Sequence, residues 1–140
     1  MRRRRGFTLL ELLVVMVILV LLASVGAVIV IRRVEEARYA KAVADIESIS
    51  NALDQFYLHC GRYPTTDEGL AALRTRPSGD DLRNWDGPYI KKAAPADPWN
   101  REYVYICPGE HNSDGYDLYS LGKDGREGGT GSDRDITSWD

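Results

Sequence analysis

Arg5-Gly6-Phe7-Thr8-Leu9-Leu10-Glu11, with the apolar run Leu12 to Ile31 behind it, decides how the rest of this chain is read. Four arginines, Arg2 to Arg5, precede Gly6, and twenty residues without a formal charge follow Glu11. At 1.5 Å per residue that run reaches roughly 30 Å as a helix, the thickness of a bilayer's hydrocarbon core. Glu11 is the anomaly. A charge at the centre of a membrane helix costs about 2.5–3.5 kcal/mol on insertion scales; nearer the end it costs less, but an unpaired carboxylate there still needs a reason. The run exceeds the roughly 7–15 apolar residues of an ordinary secretory signal, and Ala23-Ser24-Val25-Gly26-Ala27 is a poor signal-peptidase site. A plain membrane anchor accounts for the arginines, which stay cytoplasmic, and leaves Glu11 without a role.

A basic leader, a glycine, a phenylalanine, a glutamate four residues on and a long apolar helix together resemble the amino-terminal signal of type IV pilins and pseudopilins. The resemblance implies that a prepilin peptidase cuts after Gly6 and that Phe7, the new first residue, is N-methylated. It also gives Glu11 an assembly role, in which its carboxylate neutralises the amine of a neighbouring Phe7 inside the filament. That role suits the physics, since two opposite charges meeting in an apolar core offset each other's desolvation.

Length and charge narrow the possibilities. Of 140 residues, a leader of residues 1–6 and a membrane or filament-core helix of 7–31 leave 32–140, enough for one small head domain. The formal net charge is −3, and losing four leader arginines makes the mature chain more acidic still. That argues against nucleic acid as a partner, which calls for a basic face. The two cysteines, Cys60 and Cys107, fall in the part expected outside the cytoplasm, where an oxidising compartment favours a disulfide between them; two free thiols are the alternative. Two cysteines and two histidines lack zinc-finger spacing. No phosphate loop, nucleophile elbow or other catalytic constellation is present, so the chain is not expected to be an enzyme.

Beyond Arg32-Arg33 the helical pattern continues. Ala42, Ile46, Ile49, Leu53 and Phe56 recur at three- and four-residue steps, one face of an amphipathic helix. No proline interrupts Phe7 to Leu58, so one helix of roughly fifty residues is expected, ended by Gly61 and Tyr63-Pro64. Thr66 reads as the cap of a short helix carrying Leu70 and Leu73, and Trp85 as the anchor of the loop after it. Tyr89 to Lys92 reads as a short extended piece and Pro95 to Asn100 as a turn. Tyr103–Ile106 and Tyr116–Leu121 have strand composition. The fold class is therefore α+β: a long amino-terminal helix packed on a small antiparallel sheet.

Tyr63-Pro64 with Glu68-Gly69-Leu70, Asp97-Pro98-Trp99, Asp117-Leu118-Tyr119-Ser120-Leu121-Gly122 and the ending Asp135-Ile136 with Trp139 are similar to a narrower family, the major pseudopilins of type II secretion systems. The match spans nearly the whole chain. Two departures stand out. The family's membrane helix often carries a proline near the position of Val28, and the cysteine pair is not a family expectation.

Residues 120–135 form a glycine-rich, acidic loop with little apolar content. From the residues alone, a solvated loop and a calcium site built of carboxylates and turn carbonyls are both open. The resemblance implies one structural calcium ion here, with Asp124, Asp133, Asp135 and the Leu121 carbonyl as ligands. It further implies a homo-oligomeric helical filament, minor pseudopilins and an inner-membrane secretion platform as partners, and a single-pass bacterial inner-membrane protein with a periplasmic head. Filament growth would then drive folded proteins across the outer membrane. An adhesion or motility pilin and a single-pass anchored binding module are the rival readings.

Overall fold

The computed structural model describes residues 6–139, with side chains at all of these except 25–28 and 80; the leader arginines Arg2–Arg5 lie outside the described residues. Helix α1 runs Leu9–Cys60, 52 residues without a break. Thr8 starts it. Its hydroxyl accepts the Glu11 N–H at 3.2 Å, and its carbonyl accepts the N–H groups of Glu11 and Leu12 at 3.1 and 3.2 Å. Thr8-x-x-Glu11 has capping-box spacing, so Glu11 also has a local place in the first turn, where a carboxylate suits the helix dipole. The backbone stays helical through 25–28, as the absence of proline predicts. Gly61 ends the helix. It takes the left-handed φ of 75°, open to glycine without a Cβ penalty, and donates its N–H to Tyr57 O at 2.7 Å.

The chain forms two compact units, Met1–Glu36 and Ala37–Asp140. In the first, every described side chain from Phe7 to Val34 is exposed. This stretch belongs to a helix long and apolar enough to cross a membrane. Charge returns at Arg32, and Arg33 pairs with Glu36 on the surface at 2.9 Å.

In the second unit the predicted stripe becomes the core. Ala42, Ile46, Ile49, Leu53 and Phe56 are all buried, and they meet Leu73, Leu82, Tyr103, Tyr105, Leu118 and Ile136. The sheet has three antiparallel strands in the order β1 (Val104–Ile106), β2 (Asp117–Ser120), β3 (Ile136–Thr137). Tyr105 faces Leu118 and Ser120 faces Ile136. Strand β3, only two residues long, is too short to announce itself by alternation.

Two local expectations are corrected. Tyr89 to Lys92 is a series of bends and not a strand. It lies between Pro88 and Pro95, which cannot donate to a ladder, and Tyr89 N–H bonds Leu73 O at 2.7 Å. The side-chain cap of this segment is Thr65 and not Thr66, and it caps the turn 66–69 that leads into the 3₁₀ turn Leu70–Leu73, whose own N-cap is Gly69. Glu68 N–H donates to Thr65 Oγ1 at 3.2 Å while Thr65 N–H donates to Glu68 Oε2 at 2.8 Å, a reciprocal capping box. Thr66 is used elsewhere. Its hydroxyl accepts Cys107 N–H at 2.9 Å and donates to Cys107 O at 3.1 Å, which ties this turn to the end of β1. Trp85 is the expected anchor: its indole N–H reaches Ala72 O at 3.1 Å.

Candidate functional site

The residues expected to serve processing and assembly come first. Gly6 and Phe7 precede the helix in non-helical backbone, and Phe7 is 77% exposed. Glu11 sits in the first turn of α1, flanked by the exposed Leu10 and Leu12. The motif is thus an accessible peptide bond followed by a carboxylate on an apolar rod.

The carboxy-terminal loop is the second site, and it is positioned by a buried polar ring. Asp97 is 4% exposed. Its Oδ1 accepts the N–H groups of Trp99 (3.0 Å) and Arg101 (2.8 Å), and its Oδ2 accepts the Ser120 hydroxyl at 2.6 Å. Ser120 in turn accepts Gly122 N–H at 3.2 Å, and the Arg101 guanidinium donates to Gly122 O at 2.7 Å and Lys123 O at 3.2 Å. Gly122 has φ 62°, and a Cβ there would lie 2.5 Å from Arg134 O, so glycine is what lets the two ends of the loop close.

Within the loop, Leu121 O accepts Gly125 N–H at 3.2 Å. Asp124 is exposed, with Oδ1 accepting Arg126 N–H at 3.0 Å. Asp133 is half-buried at the end of a short 3₁₀ turn, Gly131–Asp133. Asp135 is half-buried; its Oδ2 accepts Gly128 N–H at 2.8 Å, whereas its Oδ1 is buried without a hydrogen-bond partner. An unpaired buried carboxylate oxygen is costly unless a donor or cation meets it, and together with turn carbonyls it is the kind of donor calcium takes. Among the described residues no three His, Cys, Asp or Glu side chains converge as a ready-made metal cluster. A cavity of about 260 Å³ adjoins Asp135, with Glu110, His111, Glu127 and Trp139 among its walls.

Asp117 was missed as a structural residue by sequence reasoning. It is 1% exposed on β2 and accepts backbone N–H groups from Glu110 (2.8 Å), His111 (2.8 Å) and Asn112 (3.0 Å), with His111 Nδ1 at 3.1 Å. Burial works to raise its pKa, but the bonds from His111, Asn112 and Glu110 prevail and hold it below the usual carboxylate value. Trp139 stacks on His111 at 4.1 Å and meets Tyr119 edge-on. The Arg134 guanidinium lies 4.2 Å from the centre of the Tyr39 ring, fastening the loop to α1.

Cys60 and Cys107, the expected disulfide pair, are not bonded to each other in the structure. Each sulfur has its own surroundings. Cys107 Sγ donates to Gly115 O at 3.5 Å, and burial raises the Cys60 thiol, at the end of α1, above the ordinary value.

A long amino-terminal helix whose second half is buried by a small antiparallel sheet, led by glycine, phenylalanine and glutamate, defines a pilin-like subunit. A family model described as type II secretion system protein G matches residues 29–139, and one described as a prokaryotic N-terminal methylation motif matches residues 1–27. The chain belongs to the type II secretion system protein G family. It is 46% identical to type II secretion system core protein G of Vibrio cholerae, over 99% of this chain and 94% of the relative. The proteins of that name from Pseudomonas aeruginosa and Escherichia coli K12 are 43% and 45% identical, covering 99% and 98% of this chain and 97% and 92% of their own. The crystal structure of the major pseudopilin from the type 2 secretion system of enterohaemorrhagic Escherichia coli superimposes with a TM-score of 0.60 at 36% identity, covering 74% of this chain and 88% of that one.

Proposed function

We propose that this chain is the major structural subunit of a type II secretion pseudopilus, assembling through its amino-terminal helix and catalysing no reaction itself. The observation that carries the reading is the first unit: its described large apolar side chains, Leu9 to Val34 on one helix and Phe7 just before it, are all exposed and need lipid or neighbouring helices to cover them. In the inner membrane, lipid covers them; in the filament, other copies of α1 do. A prepilin peptidase cuts after Gly6, Phe7 is methylated, and Glu11 meets the Phe7 amine of a neighbour. Minor pseudopilins and the inner-membrane platform are the assembly partners, and filament growth in the periplasm moves folded cargo outward. The secretion-system relatives favour this reading over an adhesion pilin. Glu11→Gln keeps size and helix propensity and removes the charge. The expected outcome is a membrane-inserted, folded chain with filaments on sheared cells reduced at least about tenfold and secretion lost; wild-type filament yield would sink the assembly role.

We further propose that the loop holds one structural calcium ion. Asp135 is its best-supported ligand, through the buried unpaired Oδ1, with Asp133, Asp124 and the Leu121 carbonyl as the remaining protein oxygens. The ion supplies positive charge to a clustered acidic loop. Calorimetric titration of the full chain in detergent micelles is expected to give one site, weakened by Asp135→Asn. An unchanged titration in that variant removes Asp135 from the ligand set.

A further inference from the structure

We infer that Arg101 is an internal cation that positions the first half of the 120–135 loop, so that only the second half depends on a metal. For its metal half, this rests on the calcium reading proposed above. The two forks of the guanidinium bond the carbonyl oxygens of Gly122 and Lys123 at 2.7 and 3.2 Å. Gly125 lies flat against it: a Cβ at 125 would stand 2.6 Å from Arg101 Cζ. The turn from Leu121 to Gly125 therefore closes around a positive charge that the protein supplies itself.

That charge is held in place from below. Arg101 N–H bonds the buried Asp97 carboxylate, Asp97 N–H bonds Arg101 O at 2.7 Å, and Asp97 is joined to Ser120 at the loop's entrance. A planar guanidinium bonding two carbonyls fixes direction as well as charge, which a lysine ammonium does less well. The second half has no such arrangement. Its acidic Asp135 leaves Oδ1 buried and unmet, and the nearby Arg134 is turned onto Tyr39. Two of the candidate ligands, the Leu121 carbonyl and Asp124, are thus set in position before any ion arrives. Arg101 acts on the ion through them and is a positioning residue.

The test is hydrogen exchange of the full chain in detergent micelles, followed for amides 122–126 and 128–135 in chelator and in calcium, together with calcium titration. In the wild-type chain, amides 122–126 are expected to stay protected in chelator, while 128–135 gain protection when calcium is added. Arg101→Met is expected to speed exchange at 122–126 in chelator by about tenfold and to weaken calcium by a similar factor. Arg101→Lys, which keeps the charge without the fork, is expected to fall between and to restore part of the calcium affinity, as a merely space-filling role would not. Exchange at 122–126 that is already as fast in the wild-type chain as in Arg101→Met overturns the assignment. If calcium gives no heat and leaves 128–135 unchanged in the wild-type chain, the calcium reading falls, and the chelator comparison of the three chains still decides the role of Arg101.

Discussion

Asp117 shows how one buried carboxylate organises the loop between β1 and β2. Three consecutive N–H groups and a histidine ring converge on it, so the turn Glu110–Asn112 is shaped around a negative charge. Its pKa is held down by those bonds, and Glu68 is held down by Arg62. A carboxyl with a folded pKa below its unfolded one stabilises the fold above the unfolded value, near 4, and loses that contribution as pH falls through the folded value. The urea midpoint of the full chain in chelator is therefore expected to drop as pH is lowered from about 5 towards 3. Asp117→Asn is expected to cost about 1–3 kcal/mol at neutral pH and to flatten part of that acid slope. An acid slope unchanged in the variant would mean that Asp117 is not among the groups responsible.

The second half of α1 is the element on which the head is built. Phe56 and Leu53 are fully buried, and Phe56 meets the Tyr89 ring edge-on. Phe56→Ala is expected to destabilise the head by about 3–5 kcal/mol in urea unfolding, because the cavity it leaves is walled by helix and sheet residues that cannot collapse onto it; a loss below about 1 kcal/mol would mean the site repacks. This stripe was legible from the sequence because burial on a helix repeats every three or four residues; β1 was legible from its β-branched and aromatic composition, and β2 from its alternation. The motif Gly6, Phe7, Glu11 was legible because each departs from its surroundings. What the sequence hid depends on partners remote along the chain. Thr66 looked like a cap until Cys107 claimed its hydroxyl, Asp97 looked like turn punctuation until Ser120 met it, and nothing around Arg101 in the sequence announced its bonds to the Gly122 and Lys123 carbonyls. Among the missed residues, Thr8 and Thr65 carried a readable signal, their three-residue spacing to Glu11 and Glu68.

Taken whole, the chain divides its tasks between two units that share one helix. Among the described residues, the second unit, Ala37–Asp140, contains all of the buried core. A chain starting at Ala37 is therefore expected to be water-soluble and monomeric by light scattering, and to unfold cooperatively. Aggregation of that fragment would show that the head leans on the apolar half for its stability. The threonine cap has a kinetic meaning for the other end of the molecule. Proteolytic enzymes grip their substrates as extended strands, and here the helical ladder starts two residues beyond the Gly6–Phe7 bond. The proposed cut can be made without opening a single hydrogen bond of the rod. Thr8 acts as a stop that keeps the helix from creeping backward over the proposed cleavage point.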